Sequence, residues 1–109
     1  MAQAQPLRGD VWDARLPVVG EHPCVVLTVN PMIGRLGAVT VAVITGTEGP
    51  ALTHVPLGAD AGLTRYDVSY ANATDLHTVD KARLRRHRGR LHPGELARVE
   101  DAIRICLGL

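Results

Sequence analysis

Residues Ala38 to Pro50, AVTVAVITGTEGP, constrain the fold more than any other stretch of the chain. Alternate residues of a strand point to opposite sides, so Val39, Val41 and Val43 fall on one face and Thr40, Ala42 and Ile44 on the other. Neither face reads as solvated, and the stretch predicts a central strand buried on both sides. The turn residues Gly46-Thr47-Glu48-Gly49-Pro50 then end it abruptly. Thr45 is left at the junction, a hydroxyl on a rigid strand end beside a glycine-flanked loop. That construction suits a binding or catalytic site, and it equally suits the plain closing of a strand.

Around this strand the chain divides into strands first and helices last. Arg8 to Arg15 reads as a first strand, opened by a Gly-Asp turn signal, with Asp10 and Asp13 on opposite sides and so no carboxylate pair for acid–base work. Leu16 to Pro23 reads as a loop, since its prolines and glycine disfavour regular pairing. Cys24 to Val29 is a second buried strand, Asn30-Pro31 stops it, and Gly34 to Gly37 leads into the central strand. Leu52 to Leu57 is expected at a sheet edge because Pro56 cannot donate to a ladder. Tyr66 to Val79 reads as one long bent strand or two short ones, with Tyr70, Asn72 and Thr74 on one side and Ala71 and Ala73 on the other. Lys81 to His87 is compatible with a short helix capped by Asp80. Pro93 begins the clearest helix, whose apolar stripe is Leu96, Val99, Ile103, Cys106 and Leu107.

The 109 residues suffice for one domain over 8–109, behind a flexible N-terminal tail over 1–7. Strands followed by helices with short turns predict an α+β, mainly β domain, a strongly bent sheet or partly open barrel with a short helix and a C-terminal helix. No segment approaches the roughly 20 apolar residues of a membrane span, so a cytoplasmic protein with no membrane partner is expected. Cys24 and Cys106 both sit in apolar patterns, which suits buried, reduced thiols. The five histidines lack metal-ligand spacing, and neither a metal nor a cofactor is expected. Six cations between Lys81 and Arg90, with no acid among them, would attract phosphates or an acidic peptide or simply form a solvated face. With no Phe, one Trp and two Tyr, base stacking is a minor resource.

RGDVW, HPCVVL, AVTVAVIT, THVPL, TVDKARL followed by RGRL, and a helix ending in LGL together resemble the MazF/PemK toxins of type II toxin–antitoxin systems, from about Arg8 to Leu109. The resemblance implies a small SH3-like (CcdB/PemK-type) barrel, a homodimer, and metal-independent cleavage of single-stranded mRNA at short sequences. It also implies a cognate antitoxin with an acidic, disordered tail. Thr45 matches the family's threonine at the end of the third strand, taken to hold the scissile phosphate. The family's arginine before the proline that begins the second strand is replaced by His22, and the positions of a further Arg and Asp in plasmid members are Asn72 and Thr74.

Cleavage by the adjacent 2′-hydroxyl needs a base, positive charge or donors on the phosphate, and an acid for the leaving oxygen. A histidine can give and take protons near neutral pH where an arginine cannot. Thr45 and His22 are therefore the catalytic candidates, with Glu21 a candidate to orient His22. Arg15, Arg35 or Arg65 could restore the missing charge. Glu21, Arg15, Arg35, Thr47, Asn72, Thr74 and His77 are the substrate-binding candidates, Asn72 and Thr74 as base or ribose contacts. His77 shares a strand face with Asp75, which favours a structural pair. Two alternatives stay open: a non-enzymatic CcdB-like gyrase poison, disfavoured by the chain's ending in Leu107-Gly108-Leu109 without an aromatic, and a family member that has lost cleavage.

Overall fold

In a computed structural model, which describes residues 5–65 and 67–109, strand β3 (Ala38–Thr45) lies inside a six-stranded antiparallel sheet. Its neighbours are β2 (Gly20–Val26) and β5 (Ser69–Asp80); β1 (Asp10–Leu16) and β6 (Leu84–Arg90) continue one side, and β4 (His54–Leu57) closes the other. The edges, β4 and β6, do not pair with each other among the described residues, so the barrel stays open.

Both faces of β3 are covered, as its sequence demands. Val39, Val41 and Val43 join Trp12, Ala14, Cys24 and Val26 in one apolar cluster. Ala42 and Ile44 join Val11, Val25, Ala71 and Val99 in the other, which helix α2 (Pro93–Leu107) covers. Thr40 stays half-buried and shares a 2.9 Å hydrogen bond with Thr78 across the ladder. Helix α2 starts where Pro93 and a capping box predict, and the buried Glu95 carboxylate accepts from His92 N at 2.8 Å and from Gly58 N at 2.5 Å. One side chain thus caps the helix and ties it to the end of β4. No helix among the described residues is long and apolar enough to cross a membrane.

Four local expectations need correction. The loop expected over Leu16 to Pro23 is a tight hairpin, because Pro17 to Val19 alone make the turn and β2 starts at Gly20. Val18 takes a left-handed φ of 71°, rare for a β-branched residue and so invisible in the sequence, and Gly20 takes 78°. Pro23 pairs with Asp13 of β1 at a point where the ladder to β3 has not begun, so its missing N–H breaks no bond on that side. Second, the helix expected over Lys81 to His87 is only a 3-10 turn, Lys81–Arg83, leading into β6. Its cations are drawn into a strand because β1 carries the acids that complement them: Asp10 accepts from Arg90 at 2.9 Å and Asp13 from Arg88 at 3.0 Å. Third, the strand expected over Cys24 to Val29 ends at Val26, and a single helical turn, α1 (Asn30–Ile33), follows it with Pro31 in its first turn. Of the tail expected over 1–7, residues 1–4 lie outside the described residues; Pro6 is buried and Leu7 N donates to Asp10 at 2.8 Å.

The fourth correction concerns Cys106, which lies past the last buried turn of α2 and is exposed, whereas Cys24 is fully buried. Burial, and after it Asp75 and Asp13, pushes the Cys24 thiol up to about 12. With the thiol raised, its contribution to stability is fully present below the ordinary value of 9.0 and is lost as pH climbs towards 12. Iodoacetamide at pH 8 is expected to add one label, on Cys106, as read by intact mass, with a second appearing only in denaturant.

Candidate active site

Cys24 faces Val43 across the β2–β3 ladder, and each step back along β2 is a step forward along β3. The ladder ends at that pair, and His22 and Thr45 each lie two residues beyond it on their own strands. Both line a cavity of about 400 Å³, together with Glu21 and Thr47. The lining also includes Asp13 of β1, Arg88 of β6, Ser69 of β5 and the 63–65 segment, including Arg65.

The threonine is held by its own turn: Thr47 N donates to Thr45 Oγ1 at 3.1 Å, which fixes the hydroxyl oxygen and leaves its proton free to be given elsewhere. His22 Nδ1 is buried with no hydrogen-bond partner. Glu21, on the adjacent position of the strand, lines the same cavity without bonding that nitrogen, so the expected orientation of His22 by Glu21 is not present. A buried ring nitrogen left unsatisfied costs about 1–3 kcal/mol, which makes it a place to look for function. Asp13 and Arg88 form the cavity's ion pair, at 3.0 and 3.3 Å from Nη1 to the two carboxylate oxygens.

Four of the candidate residues, Thr45, His22, Glu21 and Thr47, thus come together, and Arg65 joins them. The others do not line the cavity. Arg15 is exposed and paired in register with Glu21; Arg35 is exposed in the loop after α1. Asn72 and Thr74 are tied to one another, Asn72 Oδ1 accepting from Thr74 N at 3.0 Å and from Thr74 Oγ1 at 2.6 Å. That exchange holds the irregular part of β5, where four residues, Asn72 to Asp75, oppose Val43 alone. His77 Nε2 lies 2.8 Å from Asp75, the structural pair that the strand spacing suggested. Asp13, Ser69 and Arg88 escaped the sequence reading because each reaches the cavity from a strand whose register the sequence does not reveal.

Fold and site together define a class: a small open barrel whose polar cleft sets a histidine against a threonine beside two arginines, chemistry suited to a phosphodiester. Residues 7–107 match the model of the PemK-like, MazF-like toxins of type II toxin–antitoxin systems, and the chain belongs to that family. It is 32% identical over 101 residues to a probable endoribonuclease MazF2 of Mycobacterium tuberculosis, covering 93% of this chain and 97% of that one. Among solved structures it resembles an endoribonuclease from Mycobacterial species (TM-score 0.84, 26% identity, 100% and 97% of the two chains). It also resembles an endoribonuclease in complex with its cognate antitoxin, again from Mycobacterial species (TM-score 0.85, 28% identity, 95% and 96%).

Proposed function

We propose that the protein is the endoribonuclease toxin of a type II toxin–antitoxin pair, cleaving single-stranded mRNA in the cytoplasm, and that His22 and Thr45 carry the reaction. The observation that carries the reading is that both residues line one polar cavity. His22 accepts the proton of a 2′-hydroxyl, the 2′-oxygen attacks the adjacent phosphorus, and the P–O5′ bond breaks. The imidazolium then returns the proton to the departing 5′-oxygen, leaving a 2′,3′-cyclic phosphate and a 5′-hydroxyl. Thr45 donates its hydroxyl proton to a non-bridging phosphate oxygen, where negative charge grows in the transition state. Thr47, held by the same turn, and Glu21 sit on the cavity wall, where they contact the flanking nucleotides.

The partner protein is a cognate antitoxin with an acidic, disordered tail, for which the exposed Arg83 and Arg86 offer complementary charge, and the functional unit is a homodimer. Incubation with a long single-stranded RNA in EDTA, followed by mapping of the ends, is expected to show cuts at one short recurrent sequence. Thr45→Ala, which keeps the fold and loses the phosphate donor, is expected to cut about 10²-fold more slowly. RNA left intact by the wild-type protein would contradict the assignment, and full activity of Thr45→Ala would remove Thr45 from it.

A further inference from the structure

Position 22 carries no permanent positive charge, Arg15 and Arg35 do not line the cavity, and of the two arginines that do, Arg65 sits in the segment before β5 while Arg88 is set in the ladder of β6. We infer that Arg88 supplies the positive charge that a phosphodiester needs, holding the scissile phosphate from β6, and that Asp13 is the residue that aims it. The inference rests on the endoribonuclease reading above and names a further residue for that reaction.

Arg88 reaches the site through a break in the ladder. Trp12 pairs with His87 and its neighbour Val11 with Gly89, so Arg88 is the extra residue of a β-bulge, without a counterpart on β1. A bulge re-aims the side chain it frees. Here the guanidinium is fixed from two sides: Nη1 donates to both Asp13 oxygens, at 3.0 and 3.3 Å, and Nη2 donates to Gly62 O at 3.4 Å. A guanidinium carries five N–H groups, and these contacts leave Nε–H and a proton on Nη2 uncommitted. The Arg88 side chain keeps 23% of its surface open, on the cavity wall that also carries Ser69 and stands with His22 and Thr45. A planar, permanently charged donor held at its far side suits a phosphate better than a mobile lysine would.

Charge on the wall points the same way. Asp13 and Glu21 are matched by Arg65 and Arg88, so the cavity does not repel a phosphodiester. Asp13 lowers the net attraction and in exchange fixes direction, which makes it a positioning residue.

The test is single-turnover and steady-state cleavage of an RNA oligonucleotide carrying one cut site, unmodified or with each phosphorothioate diastereomer at that site. Arg88→Gln is expected to lower kcat by about 10²- to 10³-fold with KM changed less. The sulfur penalty seen with wild-type protein should largely vanish in Arg88→Gln, because the lost contact cannot be lost twice. Arg88→Lys should recover part of kcat, and Asp13→Asn should lower kcat while keeping the wild-type sulfur preference only weakly. If Arg88→Gln does not fold, Arg88→Lys and Asp13→Asn give the same reading through the sulfur effect. Wild-type kcat in a folded Arg88→Gln, or a sulfur penalty of unchanged size in these variants, overturns the role of Arg88 and leaves the nuclease assignment standing. Wild-type protein that leaves the unmodified oligonucleotide intact overturns both.

Discussion

His22→Gln is expected to lower kcat by about 10²- to 10⁴-fold, the range spanned by positioned proton transfer. Glutamine keeps much of the volume and a hydrogen-bonding end group, so the β1–β2 hairpin should still form and Ala14 should still face position 22. What glutamine lacks is a proton it can take up and release near neutrality. The position of His22 on the cavity wall beside Thr45 gives the substitution its diagnostic value, because a side chain serving only structure would not move the chemical step. The loss should therefore fall on kcat, and the limb of the pH–rate profile carried by the imidazole should disappear with it. Rates and pH profiles of the two proteins on one oligonucleotide decide this, and an unchanged profile would assign the proton transfer elsewhere.

Gly62→Ala is expected to be the most damaging single change to the fold outside the apolar clusters. Gly62 has a φ of 74°, and a Cβ there would lie 1.9 Å from the carbonyl oxygen of Arg88, a fixed backbone atom. Across the contact, a Cβ on Gly89 would lie 2.3 Å from Asp60 O. Two facing glycines thus let the turn after the 3-10 segment Ala59–Ala61 lie directly on the bulge of β6. A left-handed alanine costs about 1–2 kcal/mol, and forced overpacking adds about 1–3 kcal/mol. Against a total stability of about 5–15 kcal/mol, the sum is large. Urea unfolding should show the midpoint falling steeply. Because Gly62 O also accepts from Arg88 and the next residues wall the cavity, cleavage should fall further than the folded fraction. A midpoint equal to that of the wild type would mean the two glycines do not set this contact.

How far the sequence could be read followed how local each signal was. The central strand was legible because its alternation is local and both of its faces are apolar, and helix α2 because Pro93, Glu95 and its apolar spacing are local too. Thr45 was legible as the last residue of that strand. The meeting of His22 and Thr45 in one cavity was not, since it depends on how two strands separated by α1 and its loop are brought together. Strand β6 was hidden for a related reason: Lys81 to Arg90 has almost no apolar pattern of its own, and only Asp10 and Asp13 of β1 explain why a basic segment pairs there. The same acids account for Arg88, whose route to the cavity is a bulge, a feature of the ladder and not of either strand alone. Asn72 and Thr74 were read on one side of β5, and there Asn72 Oδ1 accepts from the Thr74 hydroxyl, a contact between side chains that alternation places together but does not pair.

The central claim is that His22 and Thr45 frame a site where a 2′-hydroxyl attacks its neighbouring phosphate. It is tested most directly on the mapped cut site, with one oligonucleotide of RNA and a second identical except for a single 2′-deoxy nucleotide on the 5′ side of the scissile bond. The expected result is cleavage of the first in EDTA, yielding a 2′,3′-cyclic phosphate and a 5′-hydroxyl, and no cleavage of the second at that bond. Cutting of the deoxy-substituted strand at the same bond, or products ending in a 5′-phosphate, would contradict it.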